Sequence, residues 1–304
     1  MIVDKVKEVQ LVPESRALKL DAATNSFQRF DKTIYAVEES KIKIQGSGEA
    51  YVEALKFFNL FPETKDIEIH TDFVLLRLKN GAEYKLPFLD VSWNTNELPN
   101  KFNKDNSISI KLVSGRLNSA TLKNLANPML QCIYIDNTSA VSCNSMVACL
   151  DGTATTITPL LLPPDIAPLM EGREAYLEII DNNYVVKMGE EYVVCPIPAY
   201  DYSGVAQTLR NSLPASIKQY PVGSLYDSVR RLSMFGDKLT FDGEKVLVEE
   251  NYEPFNLPSA VKEFKYGIQY LLTVLPQVTH IAQSEFALLL YGDKFLFMIS
   301  PEDH

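Results

Sequence analysis

The chain has 304 residues, too long for one ordinary core when domains run to about 100–200 residues each. Hydrophobic residues make up 46% and charged residues 22%, and glycine and proline together number 30, which excludes a disordered, collagenous or disulfide-stapled chain. With 39 acids against 29 bases the formal charge is −10, and this speaks against a high-pI basic domain, the commonest mark of a nucleic-acid binder.

The opening, Met1-Ile-Val-Asp-Lys-Val-Lys-Glu, has no apolar signal segment, and no run of 18 or more apolar residues occurs, so a cytoplasmic protein is expected. Strand-like segments follow at Ala17-Leu-Lys-Leu and Thr33-Ile-Tyr-Ala-Val. Near residue 50 an apolar stripe at helical spacing (Val52, Leu55, Phe58) predicts a helix ending at Pro62. Three strands come next: Asp66-Ile-Glu-Ile-His, Phe73-Val-Leu-Leu-Arg-Leu, and, after an Asn80-Gly81 turn, Glu83-Tyr-Lys-Leu-Pro.

This helix-strand-strand-strand pattern returns twice. The second copy opens at Pro163-Pro164, suited to a helix's first turn, and runs through Ile166, Leu169 and Met170 into strands at Ala175, Tyr184 and Tyr192. The third carries Val261, Phe264, Ile268, Leu271, Leu272 and Leu275 as a helix ending at Pro276, then strands at His280, Phe286 and Phe295. The last turns align at Gly81, Gly189 and Gly292, separated by 108 and 103 residues, and divide the chain into domains 1–105, 106–213 and 214–304.

A related pattern fills the leading half of the later copies. Leu117, Thr121 and Leu125 precede strands at Cys132 and Ala140, while Val222, Leu225, Tyr226, Val229 and Leu232 precede strands at Lys238 and Lys245. Each full domain is thus two helix-plus-sheet halves. The first departs from this, having no room for an opening strand and amphipathic helix. The four cysteines (Cys132, Cys143, Cys149, Cys195) lie in apolar, strand-like contexts without a C-x-x-C pair, which favours buried thiols over zinc ligands or disulfides.

Three tandem, internally doubled domains resemble the bacterial sliding clamp, the beta subunit of DNA polymerase III. The resemblance covers nearly the whole chain. It is carried by Glu174-Ala-Tyr-Leu-Glu-Ile-Ile-Asp-Asn-Asn-Tyr-Val-Val-Lys-Met-Gly, by Pro198-Ala-Tyr-Asp-Tyr, by Phe264-Lys-Tyr-Gly-Ile-Gln-Tyr-Leu-Leu-Thr-Val-Leu and by Phe295-Leu-Phe-Met-Ile-Ser-Pro. Cys143-Asn-Ser-Met-Val-Ala replaces the family's Thr-Asp-Gly-His-Arg-Leu, and such departures point to a viral or otherwise remote clamp.

The resemblance implies an α+β fold of three tandem clamp domains, helices on one face of antiparallel sheets, with domain one shortened at its start. It implies a homodimeric ring around duplex DNA that tethers a polymerase without catalysis, cofactor or metal. A ring needs only weak, sequence-independent phosphate contacts, for which the inner-helix bases Lys56, Arg116, Lys123, Arg230, Arg231, Lys262 and Lys265 are candidates. Peptides of the polymerase and clamp loader would dock on Met129, Cys143, Ser145, Tyr200, Gly204, Val205, Met234, Tyr270, Leu296 and Met298, with Gly204 where the family usually has arginine. The dimer contact would use Tyr84 and Leu86 of one chain and the region of Leu232 of the other.

Two other readings stand beside this one. An enzyme is one, but only three histidines occur (His70, His280, His304), the cluster Glu249-Glu250-Asn-Tyr-Glu253 reads as a solvated strand end rather than paired catalytic or metal-binding carboxylates, and no phosphate loop, H-E-x-x-H or G-x-S-x-G motif occurs. A clamp-like scaffold that binds proteins without encircling DNA keeps the architecture but not the ring.

Overall fold

The computed structural model of the chain describes residues 16–30, 34–94, 96–112, 114–120, 127–258 and 263–302. In chain order these give β1 (Ala17–Asp21), β2 (Ser26–Phe30), β3 (Tyr35–Glu39), β4 (Ile44–Gln45), β5 (Glu49–Glu53), helix α1 (Ala54–Leu60), β6 (Thr64–Ile69), β7 (Phe73–Leu78) and β8 (Glu83–Pro87). Then come β9 (Ile108–Lys111), α2 (Ser114–Ala120), β10 (Ile133–Ile135), β11 (Ala140–Cys143), β12 (Val147–Asp151), β13 (Leu160–Leu162), a single helical turn Ala167–Met170, β14 (Glu174–Ile180), β15 (Asn183–Met188) and β16 (Glu191–Pro196). The remainder is α3 (Ser203–Asn211), β17 (Tyr220–Pro221), α4 (Leu225–Leu232), β18 (Lys238–Phe241), β19 (Lys245–Val248), β20 (Asn251–Pro254), β21 (Lys265–Gly267), α5 (Ile268–Val274), β22 (His280–Gln283), β23 (Leu288–Tyr291) and β24 (Phe295–Ile299).

The chain forms two compact units: one from the residues up to Ser109 with Glu174–Ile197, the other from Ile110–Arg173 with the residues from Pro198 onward. The first unit holds a sheet of order β5-β1-β2-β3-β16-β15-β14-β9 and a smaller one, β4-β6-β7-β8. In the long sheet the third strand of the first repeat pairs antiparallel with the last strand of the second, Tyr35 opposite Val194 and Glu38 opposite Glu191. The core lies between the two sheets, around Leu18, Leu20, Val52, Phe57, Ile67 and Leu76.

Helix α1 buries Ala54, Phe57 and Phe58, at i, i+3 and i+4. Phe57 sits edge-on to Phe27 at 5.1 Å and stacked on Phe61 at 5.4 Å. This corrects the predicted stripe: Val52 belongs to β5, and Leu55 faces solvent at 43% exposure. The helix ends at Leu60, and the expected Pro62 stop lies in the 3-10 turn Phe61–Glu63 that follows it.

In the smaller sheet, the slot beside β6 is taken by β4, which runs parallel to it, Ile44 opposite Ile67. The corresponding slots in the later repeats, beside β14 and β22, hold the opening strands β9 and β17. The first repeat thus fills from its own interior the position for which the sequence left no opening strand.

The second unit repeats the scheme with a sheet β13-β10-β11-β12-β24-β23-β22-β17 and a smaller sheet β20-β19-β18-β21. Here β12 pairs antiparallel with β24, Val147 opposite Ile299 and Asp151 opposite Phe295. The predicted helix from Val261 is shorter than the periodicity implied. Residues 259–262 lie outside the described residues, and Lys265–Gly267 is a strand paired with β18, Leu239 opposite Tyr266, before α5 starts at Ile268. Alternating exposure of Lys265 and burial of Tyr266 suits the strand better than the helix.

The three turn glycines serve different needs. Gly81 and Gly189 have φ of +87° and +66°, left-handed values that glycine adopts without steric cost, whereas Gly292 lacks positive φ. There the requirement is space, because a Cβ would run into the Phe295 ring, and Lys294 carries the positive φ of 59°. All four cysteines are buried and unpaired with one another.

Candidate functional site

One face of the long sheet in the second unit gathers apolar side chains by strand alternation. Tyr134, Val141, Cys143, Ala148, Leu150, Leu289, Leu296 and Met298 lie in one cluster, with Ala148 opposite Met298 and Leu150 opposite Leu296 across the β12–β24 seam. Helix α3 packs on this face through buried Ala206 and partly buried Val205 and Leu209, followed by Leu213 and Ile217.

Both ends of α3 are anchored. Before it, Asp201 accepts hydrogen bonds from the backbone N–H of Ser203 at 3.0 Å and its hydroxyl at 2.6 Å. Tyr202, 1% exposed, stacks on Tyr134 with centroids 5.9 Å apart and shares a hydrogen bond with the Cys143 thiol, Oη to Sγ 3.0 Å. At the other end Arg210 donates to both oxygens of Asp136, at 2.7 and 2.9 Å, and to the Ser139 hydroxyl at 2.8 Å. Asp136 also accepts from the N–H groups of Thr138 and Ser139 in the β10–β11 turn. Burial tends to raise its pKa, but the Arg210 and backbone hydrogen bonds outweigh that and hold the carboxyl below its ordinary value.

Burial pushes the Cys132 thiol up to about 11, with Asp165 adding to the effect, and raises Cys143 against the opposing hydrogen bond from Tyr202. Tyr202 is raised as well, chiefly by burial. These shifts favour the neutral forms, so the two thiols and the phenol add no charge to the cluster while α3 covers them. It is an apolar, largely buried face covered by α3. Among the described residues no group of three or more His, Cys, Asp or Glu could hold a metal ion.

Of the ten predicted groove residues, the structure brings together Met129, Cys143, Val205, Leu296 and Met298 in this cluster. Tyr200 is 46% exposed just before Tyr202, and Ser145 is exposed in the β11–β12 turn beside Cys143. Gly204 is the second residue of α3, with nothing within 4 Å of a Cβ, so space does not require glycine there. Tyr270 lies on α5 outside the cluster, its ring against Gly267, and Met234 is 75% exposed after α4 next to Phe235 at 50%. The sequence reading missed Tyr134, Tyr202, Leu209 and Arg210; the apolar spacing Val205, Ala206, Leu209 after Asp201-Tyr-Ser was the available signal for the helix, while Tyr134 and Arg210 had none.

The predicted basic residues divide sharply. Arg231 makes two bonds to Glu253, at 2.7 and 2.8 Å, and Lys56 pairs with Glu53 at 2.7 Å. Arg116 is drawn back into its own unit, 3.5 Å from the fully buried Asp151 and 4.1 Å above the Phe295 ring. Arg230 is exposed on α4, and Lys265 is exposed on a strand rather than a helix. Lys123 and Lys262 lie outside the described residues.

Of the predicted contact residues, Tyr84 is 44% exposed on β8, whereas Leu86 and Leu232 are buried in the cores of their own units. β8 ends the order of its sheet and β20 that of the other small sheet, and Tyr252 on β20 is 63% exposed.

No family profile matches the sequence, and no curated protein matches it. Solved structures do match over the whole chain. A DNA polymerase III beta subunit from Borrelia burgdorferi aligns with a TM-score of 0.72 at 15% identity, over 100% of this chain and 95% of that one. The fold is that of a sliding clamp. The DNA polymerase sliding clamp of Pseudomonas aeruginosa aligns over 100% of this chain and 97% of its own, TM-score 0.68 at 13% identity. A provisionally assigned DNA polymerase III beta subunit from Eubacterium rectale gives a TM-score of 0.73 at 14% identity, over 100% and 96%. The clamp fold expected from the repeat is therefore met, in a chain whose sequence has diverged far from these.

Proposed function

We propose that this chain is a DNA sliding clamp, a non-catalytic processivity factor that closes as a homodimeric ring around duplex DNA and tethers a polymerase. The observation that carries this is the pattern of sheet junctions. Twice, the third strand of one repeat pairs with the last strand of the next, as β3–β16 and β12–β24. The same rule applied to the remaining halves joins β20 of one copy to β8 of another, completing a third eight-stranded sheet from two four-stranded ones. Their exposed Tyr84 and Tyr252 suit such a seam, and pairing two edges removes both as aggregation templates.

In this reading the chain comprises clamp domains 1–105, 106–213 and 214–304. Function follows from topology: a closed ring cannot leave the duplex, so a tethered polymerase rebinds at high effective concentration. The charge of −10 fits a ring whose outer surface repels DNA while a few inner bases meet phosphates. The apolar face under α3 would receive short peptides of the polymerase and clamp loader.

Light scattering at micromolar concentration tests the assembly. A mass of two chains that falls to one chain in Tyr84→Asp/Tyr252→Asp supports the ring, and a strictly single-chain mass in the unsubstituted protein rejects it. Ion pairing of Lys56, Arg116 and Arg231 favours one second reading, a clamp-shaped scaffold that binds proteins without DNA. The scaffold predicts no gain of polymerase processivity on primed circular DNA when loader and polymerase are supplied.

A further inference from the structure

Helix α3 has nine residues, well short of what holds a helix together in isolation, so its position depends on its contacts. Toward the sheet it offers full burial only through Ala206, a small residue, with Val205 and Leu209 partly buried. Its N-terminal end is fixed by buried Tyr202. Its C-terminal end is held on the β10–β11 turn by Arg210, whose guanidinium reaches Asp136 and Ser139, the ion pair being four-fifths or more buried on both sides. A forked, charge-assisted contact of this kind fixes orientation as well as distance.

We propose that Arg210 is a positioning residue for peptide docking: through its grip on the Asp136–Ser139 turn it sets α3 as one wall of the apolar face and governs how often that wall opens. The inference rests on the docking reading of this face, but the latch itself has an independent readout. Cys132 and Cys143 belong to the cluster that α3 covers and are 2% and 5% exposed. Cys149, fully buried, points from β12 to the opposite side of the sheet, between the clustered Ala148 and Leu150. Cys195 lies in the other unit and is also buried. Opening of α3 therefore exposes two thiols and spares two.

The experiment follows alkylation of each cysteine by mass spectrometry on the full chain, in parallel with titration of a fluorescein-labelled synthetic peptide carrying three consecutive leucines, apolar like the lining. Arg210→Gln is expected to speed labelling of Cys132 and Cys143 at least tenfold while Cys149 and Cys195 keep their rates, with Arg210→Lys intermediate because one bond is retained. Peptide affinity should fall in the same order. Unchanged labelling of Cys132 and Cys143 overturns the latch. If all four thiols accelerate together, the comparison is repeated with Asp136→Asn, which keeps an oxygen for the turn amides; common acceleration there also overturns it. Selective labelling without any peptide binding to the unsubstituted chain leaves the latch standing and rejects the docking reading instead.

Discussion

Arg116 separates a DNA contact from a structural one. Asp151 is fully buried, and one of its oxygens accepts from Thr153 through the backbone N–H at 2.8 Å and the hydroxyl at 2.5 Å. The other oxygen faces the Arg116 guanidinium at 3.5 Å, with 21% of that side chain exposed. Removing one partner of a buried pair costs about 3–5 kcal/mol, but the long contact and the retained Thr153 bonds place Arg116→Leu below that range, at about 2–3 kcal/mol. Loss of the stacking over Phe295 adds roughly 0.5–1 kcal/mol. For a unit of this size a loss of about 3 kcal/mol lowers the melting temperature by roughly 6–12 °C. Urea denaturation of Arg116→Leu, Asp151→Leu and the double variant measures this, and the double variant should lose less than the sum of the two single ones. Salt-dependent DNA retention at equal folded protein should not change. A stability loss below about 0.5 kcal/mol together with weaker DNA retention would refute the structural assignment and return Arg116 to the ring lining.

Arg230, exposed and without an ion-pair partner among the described residues, should behave oppositely: Arg230→Glu leaves the urea midpoint in place and reduces the salt slope of DNA binding by about one. Gly292→Ala forces a methyl group into the Phe295 ring and should destabilise by about 1–3 kcal/mol, as read from the thermal midpoint. Asp136, whose carboxyl lies below its ordinary value in the folded chain, contributes stability that is complete above about pH 5 and fades as pH falls below roughly 4. Hydrogen-exchange protection of the α3 amides should decline over that interval before that of β11 and β12.

The sequence revealed the repeat because its signals were local: glycine turns, strand alternation and the terminal prolines Pro62 and Pro276. It misjudged where helix gives way to strand. Val52 and Phe264 fit a helical period, yet Val52 belongs to β5 and Phe264 precedes β21, because ladder partners distant in sequence decide those segments. Short strands such as β4 and β17 left no periodic trace at two residues each. The predicted groove was half legible. Cys143, Leu296 and Met298 alternate on recognisable strands, whereas Tyr202 and Arg210 matter through partners at Cys143 and Asp136, 59 and 74 residues away, which no window along the chain can pair. The fate of the predicted basic residues was least legible, since a lysine on a helix reads alike whether it meets solvent or a nearby glutamate.

The sheet junctions also set a timetable for synthesis. Ala36 of β3 waits for Val193 of β16, 157 residues later, so at about 5–20 residues per second the edge stands open for roughly 8–30 s. The wait at β12 is nearly as long, since Val147 must meet Ile299. Contacts this distant make for slow folding, with exposed strands at risk of joining a neighbouring chain. Glu38 and Glu39 at the end of β3 place charge on that waiting edge, where it discourages the wrong partner until the right one is made.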